Sequence, residues 1–272
     1  MMLYDELDKT ILYQLSEIES NFKNLYTTKD AVHDLRVSIR RFISYLSCLK
    51  KYLNIDPQII QSAKFFLQSS NTLRDLETLI EKISLLEPFE YDLKPLIEHL
   101  ISEYKQQKIN FQNILNFYLP DFLLKTKSMI EHKTHYKEQY TSTPFQEALQ
   151  KILKKLIIKI KKIEPKKSNL HKLRIEYKKV RYILELYNKT YPDNKILEVI
   201  SKLKWLQDKL GYIQDLNAHI SYLKTIKTLD TSKACSALIK TFKSILKQNR
   251  KNTIFALSFF KFFQISDGIC NE

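Results

Sequence analysis

The sequence predicts an all-α protein, and three observations carry that prediction. Glycine occurs only 2 times and proline 7 times in 272 residues, too few for the turns of sandwiches and barrels or for Rossmann phosphate loops. Apolar residues recur at helical spacing along nearly the whole chain. No segment alternates with period two for long enough to make a strand.

A first helix is expected over residues 3–25. Thr27, Thr28 and Asp30 supply start signals for a second, reaching Leu53. Asp56-Pro57 reads as a cap followed by a first-turn proline, opening a third helix that ends near Pro88. A fourth follows Asp92, with Pro95 in its first turn, and stops before Pro120. Residues 121–143 read as a partly helical connector closing at Thr141-Ser142-Thr143-Pro144. The next helix runs from Pro144 to Ile163, and Ser168 and Asn169 cap another to Tyr187. Pro192-Asp193 starts a long helix through Gly211, and Asp230-Thr231-Ser232 starts the last, to Phe263. This makes eight main helices, four on each side of a connector. Residues 1–272 are read as one domain, with a first half at 3–118, a connector at 119–143 and a second half at 144–263.

The charge is 45 Lys+Arg against 30 Asp+Glu, a net of +15. A polyanionic partner is the first implication of such a balance, and a general lysine bias in composition is the plain alternative. The excess is uneven. Residues 145–182 hold 13 basic and 3 acidic residues, whereas residues 1–25 hold 2 basic and 5 acidic. Lys151, Lys155, Lys159 and Lys162 form one stripe facing away from Ile152, Leu156, Ile160 and Ile163. A solvated face accounts for this stripe as well as a binding face does. No run of about 18 apolar residues predicts a membrane span, and the opening residues contain no signal-peptide core. Cys48, Cys235 and Cys270 are odd in number and widely spaced, which fits a reduced cytosolic compartment.

The two halves resemble each other. His33-Asp34-Leu35-Arg36-Val37-Ser38-Ile39-Arg40-Arg41 aligns with His171-Lys172-Leu173-Arg174-Ile175-Glu176-Tyr177-Lys178-Lys179, 138 residues later. Leu73-Arg74-Asp75-Leu76 aligns with Ile213-Gln214-Asp215-Leu216, 140 residues later. On a helix, His33, Arg36 and Arg40 fall within an arc of about 60°. Leu35, Ile39, Phe42 and Leu46 form the adjoining apolar edge. The second copy repeats this with His171, Arg174 and Lys178 beside Leu173, Tyr177, Val180 and Leu184, and Arg181 extends the stripe. Structural helices usually break such stripes with acidic partners one turn away; here the stripe reads as unneutralised within its own helix. Each histidine taken alone is equally a packing residue.

These two His-x-Leu-Arg strings and the two Asp segments resemble the CHAD family, the conserved histidine α-helical domain, over residues 3–263. The resemblance implies two four-helix bundles related by a pseudo-twofold axis, with a basic channel between them that binds inorganic polyphosphate. It departs from the family pattern twice: Ile43 stands where the second copy has Arg181, and Asn71 where it has Gly211. The second half is therefore expected to bind more strongly. No acidic strand motif of the triphosphate-tunnel enzymes is present, so the sequence reads as a stand-alone module. Its expected place is the cytoplasm, in association with polyphosphate granules.

Arginine presents paired N–H donors to phosphate oxygens, and lysine a mobile point charge. The expected polyphosphate ligands are His33, Arg36, Arg40, Arg41, His171, Arg174, Lys178, Lys179 and Arg181. Arg41 and Lys179 lie off the main stripe, where solvated surface is the competing reading. Lys64 and Lys204 each precede an Asp by eleven residues, about three turns, and join the ligands on that ground. Asp75 and Asp215 are expected as structural counter-charges to the second helix of each half, with general-base catalysis as the alternative. Both histidines are expected to titrate on anion binding.

No metal or cofactor is expected, since each stripe offers one His without a His, Cys or carboxylate partner at i+3 or i+4. His132 and His135 form an H-x-x-H read as surface, while His99 and His219 read as packing or surface. The aromatics read as core, with the Phe255, Phe259, Phe260, Phe262 and Phe263 cluster as a docking alternative. The leading function is thus non-enzymatic polyphosphate binding. The alternatives are a nucleic-acid-binding helical protein and, behind it, a metal-dependent phosphohydrolase.

Overall fold

The computed structural model describes residues 1–26, 30–86, 89–226 and 231–260, without the side chains of Tyr26, Phe259 and Phe260. The described chain is helical: α1 (Leu3–Lys23), α2 (Ala31–Cys48), α3 (Pro57–Ser69), α4 (Asn71–Ser84), α5 (Lys94–Glu131), α6 (Phe145–Lys161), α7 (Leu170–Thr190), α8 (Asn194–Thr225) and α9 (Ser232–Phe260). Among the described residues there is no strand, only an isolated bridge between Met2 and Pro144. No described helix is long and apolar enough to cross a membrane. Two expected caps form as read. The Asp56 carboxylate accepts from Gln58 N–H at 2.9 Å, and that of Asp193 from Lys195 N–H at 2.8 Å. Thr27, Thr28, Pro88, Asp230, Phe262, Phe263 and Cys270 lie outside the described residues.

Two helix boundaries differ from the sequence reading. Helix α5 runs straight through Pro120. An internal proline costs about 3 kcal/mol, but Pro120 faces solvent while Leu115, Leu119, Phe122 and Met129 continue one buried stripe on both sides of it. That burial, at roughly 1.5–3 kcal/mol per large side chain, outweighs the local penalty. The expected third helix is two helices, α3 and α4, parted at Ser70. The Ser70 hydroxyl donates to Phe66 and Leu67 carbonyls within its own turn, the kind of back-bonding that bends a helix. The long helix runs through Gly211 as read, inside α8, where Leu210, Ile213 and Leu216 keep the buried stripe intact.

Packing follows chain order. In the first half α1 lies on α2, α2 on α3, and α3 and α4 on α5; in the second, α6 lies on α7, α7 on α8 and α8 on α9. The main contacts between halves are α1 with α6, α2 with α7 and α4 with α8. One apolar core runs through both halves and includes Phe42, Phe66, Phe122, Tyr177 and Phe242. The aromatics that were read as core are mostly there, while Phe255 is exposed.

The segment between α5 and α6 is tied to α1 by polar contacts. His135 is fully buried rather than at the surface, with Nε2 at 2.6 Å from the Asp8 carboxylate and Nδ1 at 3.2 Å from the Met129 carbonyl. Tyr136 donates to the other Asp8 oxygen at 2.8 Å, and its ring stacks on Tyr4. His132 is exposed and does not join His135 in a metal site. Neither Cys48 nor Cys235 is in a disulfide.

The contact between α4 and α8 includes a buried histidine. Thr78 donates its hydroxyl to the Arg74 carbonyl at 3.0 Å and accepts from His219 Nε2 at 3.0 Å. His219 Nδ1 is buried without a partner. Burial, with Lys82 nearby, pushes the His219 pKa down to about 4. The unfolded chain therefore takes up this proton first as pH falls. The stability from a neutral His219 is present above about pH 6.5 and is lost progressively down to about pH 4, some 3 kcal/mol in all. Replacement by leucine removes this proton uptake and leaves Thr78 bonded to Arg74. Urea midpoints at neutral and mildly acid pH should lie closer together in His219→Leu than in the parent; an equal gap would assign the acid sensitivity elsewhere.

Candidate anion-binding site

The basic edges of the two repeated strings meet where α2 crosses α7, with α4 and α8 packed beside them. The apolar edges put them there. Leu35, Ile39 and Phe42 of α2 and Leu173, Tyr177, Val180 and Leu184 of α7 are all buried, so the neighbouring basic edges are forced into one space. Arg40 experiences Arg174 and Arg74 as like charges, and Lys178 experiences Arg174, Arg40 and Arg181. Burial is the leading cause of a lowered pKa at Arg36, Arg40, Arg174 and Lys178. For Lys178, burial and these three arginines outweigh the attraction of Asp215 and bring its pKa down to about 6.

The two aspartates also converge. Burial raises the pKa of each, and Asp75 senses Asp215 as a like charge from the other half. The main basic neighbour of Asp75 is Arg36, and that of Asp215 is Arg174. Neither carboxylate makes an ion pair within 4.0 Å among the described residues, so they act through the shared field rather than by direct clamps.

The two repeated arginines have opposite fates. Arg36 is only 4% exposed, and both its terminal nitrogens are occupied: Nη1 donates to the Leu67 carbonyl at 2.9 Å and to the Ser70 hydroxyl, and Nη2 to Asn71 Oδ1 at 2.9 Å, while its Nε is buried without a partner among the described residues. Arg36 thereby pins the α3–α4 junction. Arg174 holds the matching place in α7 but makes no side-chain hydrogen bond among the described residues, and its Nε is buried without a partner. It lies over Gly211, where an added Cβ would stand 3.9 Å from Nε and Nη2. Two exchanges accompany this difference. Ser70 and Asn71 hold the first guanidinium, whereas their counterparts Leu210 and Gly211 offer the second no side-chain acceptor. Gly211 matters here for the side chain it lacks, since its φ is not in the left-handed region.

Several residues that the sequence reading did not single out shape the site. Arg74, 29% exposed and paired with Glu77, contributes to the field at His33, Arg36, Arg40, Asp75 and Asp215. It stands in the same segment as Asp75, which was its sequence signal. Lys82 is the lysine sensed by Asp215, and its ammonium sits 3.6 Å from the Tyr212 ring centroid. Glu185 overturns the reading of the stripe as unneutralised. It lies one turn beyond Arg181 and pairs with it at 3.4 Å, and also with Arg41 of the other half at 3.4 Å. The Tyr182 ring centroid lies 5.8 Å from the Arg41 guanidinium carbon and 5.0 Å from that of Arg181.

The remaining candidates scatter. His33 is half-buried, and burial together with Arg74 lowers its pKa. His171 is exposed. Lys179 pairs with Glu176 at 3.3 Å. Lys64 and Lys204 are exposed, and neither is among the charges felt by Asp75 or Asp215. For Lys64 the reason is the break at Ser70, which puts it on α3 while Asp75 is on α4, so an eleven-residue spacing no longer means one face.

A helical protein that turns paired basic strings inward onto two acidic ones fits one family. The CHAD domain family model matches residues 10–224, and the chain belongs to that family. Its fold is similar to the crystal structure of the CHAD domain from the plant Ricinus communis, with a TM-score of 0.75, 16% identity and 92% of each chain covered. It is also similar to PptA from Streptomyces chartreusis, with a TM-score of 0.65, 13% identity, and 95% of this chain and 99% of that chain covered. At these identities the likeness is one of fold. No curated protein sequence matches the chain.

The exchange of Asn71 and Gly211 is directly testable. Gly211→Asn should capture Arg174 as Asn71 captures Arg36 and weaken anion binding by about tenfold, the equivalent of one charged hydrogen bond. Asn71→Gly should release Arg36 and lower stability by about 1–3 kcal/mol through the lost bond and the helical glycine. Calorimetric titration and urea unfolding of both variants check this pair. Gly211→Asn binding at parental strength would show that Arg174 is not a ligand.

Proposed function

We propose that this chain binds inorganic polyphosphate, without catalysis, through the basic cluster where α2, α4, α7 and α8 meet. The observation that carries the reading is Arg174 beside Arg40 and Lys178: basic groups partly stripped of water, with Arg174 Nε buried and without a hydrogen-bond partner among the described residues. Such a site gains most from a ligand that is dense in charge and thin enough to enter. A chain of bare phosphates meets both conditions. A nucleic-acid duplex needs an exposed basic face, whereas these groups are recessed beside the core. Family membership supports the same ligand class. Arg174, Arg40, Lys178 and Arg74 are assigned as ligands, Arg36 as the residue that shapes the site, and Asp75 with Asp215 as counter-charges.

We read the chain as one domain of two four-helix halves, related by a pseudo-twofold axis that passes near the α2–α7 crossing. The support is that the main contacts between halves join like with like: first helix to first, second to second, and third to third, if α3 and α4 count together.

Competition among long-chain polyphosphate, duplex DNA and single-stranded RNA at fixed salt tests the ligand. Polyphosphate should displace both nucleic acids, and Arg174→Ala should weaken it by tenfold or more. Preferential DNA or RNA binding would overturn the reading. Affinity should also fall steeply with salt, as in counterion release from DNA.

The pH dependence follows from Lys178. Free Lys178 is largely neutral above about pH 6, because of its burial and then of Arg174 and Arg181 on α7 and Arg40 on α2, with Asp215 on α8 opposing. A bound polyanion raises its pKa, so binding takes up a proton and affinity falls as pH rises from about 6 to 9. His33 adds to the same trend at the acid end. Lys178→Arg stays charged throughout and should flatten most of the slope. Titrations of parent and variant over that range check the sign; parallel slopes would exclude Lys178 from the site.

A further inference from the structure

We propose that a lysine-walled pocket between the end of α2 and the outer face of α6 is a second phosphate subsite, which takes the polyphosphate chain as it leaves the arginine cluster. This inference rests on the polyphosphate reading and adds a site to it. The pocket has a volume of about 240 Å³. Its wall carries Lys51 from the turn after α2, Lys151, Lys155 and Lys159 from α6, and Lys179 from α7. A merely solvated lysine stripe projects from one helix into water. Here the α6 stripe faces lysines from two other segments across a concavity.

The pocket is built as well as charged. Glu176 is only 4% exposed, and its Oε1 holds Lys159 at 2.8 Å and Lys179 at 3.3 Å. It fixes two ammonium groups side by side that would otherwise repel. Lys151 is held by Glu147 one turn back. Lys155 makes no ion pair among the described residues. Lys51 lies 5.4 Å from the ring centroids of Tyr52 and Tyr140 and likewise has no acidic partner. Five lysines thus face two carboxylates, and the excess is unopposed.

The repeat shows why the anion would leave on this side. Lys179 matches Arg41 in the repeat, and Glu185 matches Ser47. On one flank of the α2–α7 crossing, Arg41 and Arg181 are closed by Glu185. On the other flank the matching wall residue is Ser47, which has no charge, and Lys179 faces the pocket. Lys179 follows Lys178 on α7 and points about 100° round the helix from it, so the pocket lies on the face adjoining the cluster. The ligand is a bare phosphate chain rather than a nucleotide. The pocket falls below the roughly 300 Å³ at which sites for larger ligands begin. Tyr52 is 3% exposed and offers no open face for a base.

The test compares two probes, inorganic tripolyphosphate and long-chain polyphosphate, by titration over a salt series. Tripolyphosphate should occupy the arginine cluster alone. The double variant Lys51→Ala/Lys155→Ala removes the two lysines without acidic partners, so circular dichroism and thermal unfolding should match the parent. Its affinity for long chains should fall about tenfold, with a salt slope shallower by about 2, while tripolyphosphate binding stays unchanged. The control, Lys233→Ala/Lys240→Ala, removes the same charge from exposed positions on α9 and should leave both probes unaffected. Parental long-chain affinity and slope in the Lys51/Lys155 variant would overturn the subsite. Equal losses for both probes, or equal losses in the control, would also overturn it and leave only a general field. Failure of the parent to bind either probe would instead overturn the polyphosphate reading and this subsite with it.

Discussion

Everything around the candidate site depends on like charges being held together against their repulsion. The crossing of α2 and α7 brings Arg40, Arg174 and Lys178 into one partly dehydrated space. Asp215 favours that only in part. The apolar edges of the same helices enforce it, since Leu35, Ile39, Phe42, Tyr177, Val180 and Leu184 must all leave water. The protein relieves the strain in three ways. Lys178 gives up much of its charge, Glu185 bridges Arg41 and Arg181 across the halves, and Asp75 and Asp215 lower the field without closing on any one base. A polyanion would relieve the rest, which is why the cluster reads as a binding site and not as a stabilising network.

The near-symmetry of the chain makes its asymmetries informative. Two residues, Asn71 and Ser47, distinguish the halves at the places that matter. Asn71 converts Arg36 from a free cation into a structural anchor for the α3–α4 junction, whereas Gly211 leaves Arg174 uncommitted. Ser47 leaves one flank of the crossing without the carboxylate that Glu185 places on the other. The two strings are near copies, and a few polar exchanges commit Arg36 to the α3–α4 junction while leaving Arg174 without a side-chain hydrogen bond among the described residues. The expectation that the second half binds more strongly rests on Ile43, Asn71 and the charge of residues 145–182. Beside it stands the hydrogen bonding of Arg36.

The sequence also shows where local rules yield to packing. Pro120 should have ended α5, and Gly211 should have weakened α8, yet both helices continue because buried residues on either side demand it. His135, which reads as surface from its polar neighbours, is fully enclosed because Asp8 and Met129 supply partners more than a hundred and six residues away, respectively, along the chain. Buried polar groups need such partners, and sequence spacing gives no notice of one that lies on another helix.

What the amino-acid sequence by itself determined is the helical class, the internal repeat and the identity of the two basic strings. These are periodic, local properties: each helix's apolar edge and its adjoining cationic edge are set by the spacing of side chains along a single rod. The tertiary structure alone decided which of those cations are free. Arg36 meets Leu67, Ser70 and Asn71, Arg41 meets Glu185, and Lys179 meets a pocket wall from α6, all across long separations. A guanidinium reaches several ångströms from its helix, so its partner is fixed by how two helices dock, and docking is a property of the whole core rather than of any one string.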